Sequence, residues 1–216
     1  LKQISIPDSV TSIGEAIVAR NVEIICNPGS AAEKWIEQNR MTDYVYTVEN
    51  GACTITDYLG DVPIVEIPAE LGGAPVTAIG NGAFAECAGV TSVTIPASVT
   101  SIGDEVFRAC VELTDVTIPA SVTSIGGSAF AGCSALTNIT IPDSVTSIGN
   151  EAFSGCSALT SIVIPDSVTS MGSGVFVNCK RLTDVVLPAG MVCIEGRTFM
   201  YCERLTNVVI PSGVTR

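Results

Sequence analysis

Six cysteines recur at a fixed step of 23 residues: Cys87, Cys110, Cys133, Cys156, Cys179 and Cys202, out of nine in the chain. Thiols in this number could form disulfides, hold a soft metal or carry redox chemistry. Their spacing argues against all three. A metal needs ligands converging on one ion at about 2.3 Å, whereas equivalent positions of a repeat run in a line. Coils of a stacked repeat lie about 4.8 Å apart. That is wider than the roughly 3.8 Å between the Cβ atoms of a disulfide, and the side chains are parallel rather than facing. A small, buried, free thiol is therefore the favoured reading, with a disulfide ladder and a metal or redox site as alternatives. Cys193, Cys53 and Cys26 fall off this column, and Cys193 stands where the repeat has an outward serine. These three are the thiols expected to meet oxidants. Nothing beside them would depress a thiol pKa, so no catalytic role is read into them.

Other routes to catalysis are closed for want of residues. The chain has no histidine, which removes the commonest general base and metal ligand and every Ser-His or Cys-His pair. Serines abound without a G-x-S-x-G elbow. Two carboxylates suffice for a glycosidase, but Asp104 and Glu105 are adjacent in a turn. Asp115 and Asp184 share a column yet sit three coils apart, about 14 Å at strand spacing. Glycines also come at repeat spacing, so no phosphate loop is implied. The expectation is no enzyme, no cofactor and no metal.

The elements that position these residues follow from the repeat. Phe84, Phe107, Phe130, Phe153, Phe176 and Phe199 keep the 23-residue step, as do the prolines from Pro96 to Pro211. A fixed period of this size means one supersecondary unit stacked many times. In LTDVTIP the side chains alternate, Val116 and Ile118 inward and Asp115 and Thr117 outward, which makes a short half-buried strand. Proline then ends it. SVTSIG supplies a second extended piece, and AFAGC is expected as one helical turn burying Phe130 and Cys133. A coil of this length with an L-x-x-V-x-I strand is a leucine-rich-repeat pattern. The expected fold is a mostly β repeat solenoid with short helical turns, a curved stack of 23-residue coils with a parallel sheet on its concave face.

The string LTxVxIPxSVTSIGxxAFxxC resembles the BspA-like leucine-rich repeat family over residues 62–216 and a divergent 1–26. Residues 1–40 read as the end of a first array, with Ile17 and Val18 in place of Ala-Phe. A Ser30/Glu33 capping box there starts a closing helix anchored by Trp35 and Ile36. Residues 41–61 read as a junction with an opening hairpin at Asn50-Gly51. Residues 62–216 read as a second array, stopping in mid-repeat. Its first unit, Pro68 to Ile95, carries five extra residues in AELGGAPVTAIG.

The outward strand positions are the candidate binding site. One column reads Thr94, Thr117, Thr140, Val163, Val186, Val209; its neighbour reads Ser92, Asp115, Asn138, Ser161, Asp184, Asn207. Threonine and valine are good strand formers, yet three valines in line make an apolar stripe of the kind that marks partner surfaces. Net charge is −12, and between Met41 and Cys179 fourteen acidic residues face one arginine, Arg108. That balance opposes nucleic-acid phosphates. No apolar run reaches the roughly 18 residues that span a bilayer. The family resemblance implies a surface or secreted, non-enzymatic module that binds or adheres to a host or neighbouring-cell protein. Lys180, Arg181, Arg197 and Arg204 are expected to steer an acidic partner segment. Weak self-association through the C-terminal coil is expected as well. The competing readings are carbohydrate recognition, which the scarcity of aromatics in the array disfavours, and a purely structural spacer.

Overall fold

The computed structural model describes residues 2–5, 22–25, 27, 30 and 43–215. Strands β1 (Lys2–Ser5) and β2 (Val22–Ile25) pair in parallel, Lys2 opposite Val22. The helix expected after Ser30, the Ile17–Val18 variation and Cys26 lie outside the described residues. Strands β3 (Tyr44–Glu49) and β4 (Ala52–Tyr58) form an antiparallel hairpin. Its turn residues Asn50 and Gly51 have φ of 52° and 77°, the doubly left-handed pattern that asparagine and glycine tolerate best.

Two kinds of strand then alternate along the chain. The L-x-x-V-x-I segments give β5 (Ile64–Glu66), β8 (Ser92–Thr94), β10 (Asp115–Thr117), β13 (Ser161–Val163), β15 (Asp184–Val186) and β16 (Asn207–Val209). Between them come β6 (Glu70–Leu71), β7 (Ala74–Ile79) and the two-residue strands β9 (Ser101–Ile102), β11 (Ser124–Ile125), β12 (Ser147–Ile148) and β14 (Ser170–Met171). The five extra residues of the first unit build the β6–β7 hairpin. The SVTSI pieces form the longer ladder, continuous from β14 through β12, β11, β9 and β7 to the opening hairpin. The L-x-x-V-x-I strands pair in register but in two runs, β5–β8–β10 and β13–β15–β16, because residues 138–140 make no ladder pairing. Across that break the Thr160 N–H still reaches the Thr137 carbonyl at 3.2 Å.

AFAGC is not helical, and the reason lies in where its amides go. Ser128, Phe130 and Gly132 donate to the carbonyls of Asn150, Ala152 and Ser154 in the next coil, at 2.7, 2.8 and 2.7 Å. Every second N–H is thus committed outside the segment, and an α-helical ladder cannot form. Two tight turns form instead, closed by Ala131 N–H to Ser128 and Cys133 N–H to Phe130, with Ser128 and Gly132 left-handed at φ 52° and 77°.

Inside the coil the phenylalanines make a column. Ring centroids from Phe84 to Phe199 are 5.3–5.9 Å apart, and the last three pairs are within 11° of parallel. Tyr58 of the hairpin continues it, stacked on Phe84 at 4.8 Å. The hydroxyls of the repeat join coils through backbone carbonyls. Thr114 Oγ1 donates to Thr91 O at 3.0 Å, Thr146 Oγ1 to Thr123 O at 3.2 Å and Ser144 Oγ to Val122 O at 2.6 Å. The glycine that closes SVTSIG lets the backbones touch. A Cβ on Gly126 would overlap the backbone of Gly103 and Asp104.

Truncating one ring should therefore be felt on both sides. Phe130→Ala is expected to cost about 3–5 kcal/mol, read from the urea midpoint, and to raise amide exchange in the coils of Phe107 and Phe153 together. Exchange that rises on one side only would contradict mutual support.

Candidate binding face

All ten candidate residues of the strand columns are solvent-exposed: Thr94, Asp115, Thr117, Asn138, Thr140, Val163, Asp184, Val186, Asn207 and Val209. Alternation within each strand puts them there. Val93, Val116, Ile139, Ile162 and Val185, one position away, are buried. Parallel pairing aligns the columns: Asp115 lies opposite Ser92 and Thr117 opposite Thr94. Ser161, Asp184 and Asn207 are successive partners, and so are Val163, Val186 and Val209. The valines are 61, 45 and 59% exposed. Sequence reasoning missed the first rung, Ile64 opposite Ser92 and Glu66 opposite Thr94, because the enlarged unit hides the 23-residue step.

The polar column is tied together along the axis. Asn207 Nδ2 donates to Asp184 Oδ1 at 3.1 Å, and Ser92 Oγ donates to Asp115 Oδ2 at 3.4 Å. The Thr183 hydroxyl and then the Asn207 amide hold the Asp184 carboxyl below the usual carboxylate range. The hydroxyls of Thr94, Thr117 and Thr140 form no ladder of their own. The bonded column is Thr91, Thr114, Thr160, Thr183 and Thr206, just ahead of the strands.

Of the four basic residues, Arg181 and Arg204 are exposed three positions before β15 and β16. Lys180 leans toward Glu203 at 4.0 Å. Arg197 is placed differently: it sits left-handed, φ 64°, in the turn after the second ladder and does not flank the strand face.

The cysteine column is buried from Cys110 to Cys179 and half-buried at its ends, Cys87 and Cys202, and its thiols do a job that spacing could not show. From Cys110 onward each Sγ donates to a phenylalanine carbonyl of the preceding coil: Cys110 to Phe84 at 3.0 Å, Cys133 to Phe107 at 3.1 Å, Cys156 to Phe130 at 3.2 Å, Cys179 to Phe153 at 3.1 Å and Cys202 to Phe176 at 3.0 Å, whereas Cys87 points to Ala85 O of its own turn at 3.9 Å. A carbonyl with two lone pairs is thereby satisfied in a dry core. Burial, and then the neighbouring cysteines, push Cys110 and Cys179 up to about 12, and Cys133 and Cys156 rise in the same way. Cys53, expected among the oxidisable thiols, is fully buried, with its pKa raised by burial. It points inward on β4, where alternation puts Cys53 and Ile55 in the core. Cys193 is half-buried, its Sγ 3.4 Å from Glu195 Oε1. Among the described residues no group of three or more His, Cys, Asp or Glu side chains is placed to hold a metal ion, and no helix is long and apolar enough to cross a membrane.

A stack of 23-residue coils with two parallel ladders and an L-x-x-V-x-I strand in each is a leucine-rich-repeat solenoid. The sequence matches the family described as the BspA type leucine-rich repeat region, six copies over residues 72–180 and 123–216, and the chain belongs to that family. The solved leucine-rich repeat protein of T. pallidum is 32% identical with a TM-score of 0.77, over 79% of this chain and 81% of that one. A leucine-rich cell surface protein from Faecalibacterium prausnitzii is 39% identical with a TM-score of 0.71, over 81% of this chain. A leucine-rich repeat protein from Bacteroides ovatus is 31% identical with a TM-score of 0.63, over 80% of this chain. The present chain spans only 48% and 53% of the last two. No curated protein sequence matches it.

The raised thiol pKa values set an alkaline limit. The folded state holds its protons to higher pH than the unfolded chain, so this stability is fully present below about pH 8.5. It is lost as pH climbs toward the folded values of Cys110 and Cys179, about 12. Changing both to alanine should lower stability at neutral pH yet flatten the alkaline decline, by about 1.4 kcal/mol per pH unit for each thiol. Urea midpoints between pH 8 and 11 would read this out, and an unchanged slope would place these thiols in water.

Proposed function

We propose that this chain is a non-enzymatic protein-binding module of a cell-surface or secreted protein and that it contributes to adhesion. In this reading residues 62–216 are the binding array, 41–61 the junction with its hairpin, and 1–40 the end of a preceding array. The observation that carries the reading is the alignment of exposed side chains on the strands. There solvent-facing residues stand in register from coil to coil on a paired backbone, as an extended partner requires. The valine end, Val163, Val186 and Val209, supplies apolar contact, and the Asp184–Asn207 pair offers directional hydrogen bonds beside it. Arg181 and Arg204 flank this end and favour a partner segment with carboxylates. The F. prausnitzii relative, described as a cell surface protein, supports the location. Each coil adds little contact area, so binding is modest per array and rises with the number of arrays displayed.

The test is binding to purified extracellular-matrix and host-surface proteins by biolayer interferometry. It is repeated with Val163, Val186 and Val209 all changed to aspartate. Loss of about tenfold or more in affinity is expected for contacts of this kind. A partner that binds the triple variant equally well moves the site off the strands, and no partner across the panel favours a spacer.

A further inference from the structure

The corner of the coil formed by SVTSIG is fastened to the coil before it by a set of devices that is complete in the three coils from Ser121 to Gly172; in the coil before these, the Ser98 hydroxyl has no partner among the described residues. The serine hydroxyl donates to a valine carbonyl: Ser121 to Val99, Ser144 to Val122 and Ser167 to Val145, at 2.6, 2.6 and 2.7 Å. Threonine bonds back through both N–H and Oγ1, as Thr169 does to Thr146 O at 2.9 and 3.4 Å. The glycine N–H donates to an isoleucine carbonyl, as in Gly126 to Ile102 and Gly172 to Ile148, both at 2.9 Å. The glycine also keeps the two backbones close enough for those bonds, since a Cβ on Gly126 or Gly149 would overlap the coil before it.

In the coil that begins at Pro188 all of these devices are replaced at once. Gly190 stands for the serine, Val192 for the threonine and Glu195 for the glycine. Two hydroxyl staples are gone, and Glu195 introduces a Cβ where the column has no room for one. The long ladder accordingly ends at β14. Among the described residues no hydrogen bond joins the amides of Val192 and Glu195 to the carbonyls of Thr169 and Met171.

The gap is local. On its near side Ala189 N–H still donates to Asp166 Oδ1 at 2.7 Å. On its far side Gly174, Phe176 and Asn178 reach Gly196, Thr198 and Met200 at 3.0, 3.0 and 2.9 Å. The strand ladder is intact, with Val185 opposite Val208. Pairing at the same corner also resumes in the following coil, where Thr215 N–H reaches Val192 O at 3.1 Å. The loosened segment has its own local closure: Thr198, buried where Ala152 and Val175 stand, donates Oγ1 to Glu195 O at 2.6 Å.

We propose that Gly190–Glu195 is an opening joint built into the solenoid, a segment that swings away from the coil of residues 165–187 while the rest of the array stays folded. Opening bares the edge of β14 and the side chains of Met191 and Ile194. It leaves the Phe176–Phe199 stack and the valine columns in place, so the joint is independent of whether those columns bind a partner.

Hydrogen exchange read at single-residue resolution tests this on the whole chain. The amides of Val192 and Glu195 should exchange about 100-fold or more faster than those of Thr169 and Gly172, their counterparts one coil earlier, as expected for a local opening. The amides of Thr206 and Asn207, both bonded to the Thr183 carbonyl, should stay slow. Restoring the repeat with Gly190→Ser, Val192→Thr and Glu195→Gly together should bring Val192 and residue 195 back to the rate of Thr169 and Gly172; Glu195→Gly alone should do so in part. Equal protection of the two corners in the unaltered chain would overturn the proposal. So would equally fast exchange at Thr206 and Asn207, which would mean unfolding of the whole coil, or a restored corner that exchanges as before.

Discussion

The distance between coils governs everything else in this molecule. Parallel backbone pairing sets it near 4.8 Å, and phenylalanine rings at 5.3–5.9 Å accept it with little adjustment. At that distance each side chain has its own copy as neighbour, so a residue is admissible only if it tolerates itself. Rings stack, aliphatic groups pack, and small hydroxyls reach the carbonyl of the coil before. Aspartate is relieved by alternation with serine or asparagine, as Asp184 is by Asn207. A strong general base or a metal cluster has no natural place in such a lattice, because its chemistry depends on unlike groups converging.

This constraint explains why so much was legible from residues alone. The in/out alternation of Val116 against Asp115 and Thr117, the hairpin at Asn50-Gly51 and the exposed columns ending in Val209 all follow from local periodicity. Periodicity fails where a backbone group has a choice of partner. AFAGC looks like a helical turn because its apolar spacing is helical, but Ser128, Phe130 and Gly132 commit their amides to the next coil. Cys53 lies off the cysteine column, and only the pairing of β4 with β7 shows that it joins the same core. Ile64 and Glu66 escaped notice because the β6–β7 hairpin interrupts the count.

The cysteine column is the clearest case of a residue type whose reason was hidden. Size and polarity explain why a small apolar group sits there, but alanine would meet that need. What alanine lacks is a donor. Each phenylalanine carbonyl from Phe84 to Phe176 already accepts one bond within its own turn, as Phe107 does from the Cys110 N–H at 3.2 Å, and the next coil's thiol supplies a second. The donor is weak, and it is aimed from a position where a hydroxyl would demand more solvation than the core provides.

The side-chain bonds between coils also have a direction. The threonine, serine and cysteine staples described above run from a later coil to a carbonyl of an earlier one. A chain made on the ribosome appears N-terminus first, so each repeat emerges onto a coil whose acceptors are already in place and needs nothing yet unmade to satisfy its own hydroxyls and thiol. The turn amides of Ser128, Phe130 and Gly132 run the other way and wait for the next repeat. Every half-finished array therefore exposes unsatisfied amides at its growing end, a surface onto which its own next repeat fits.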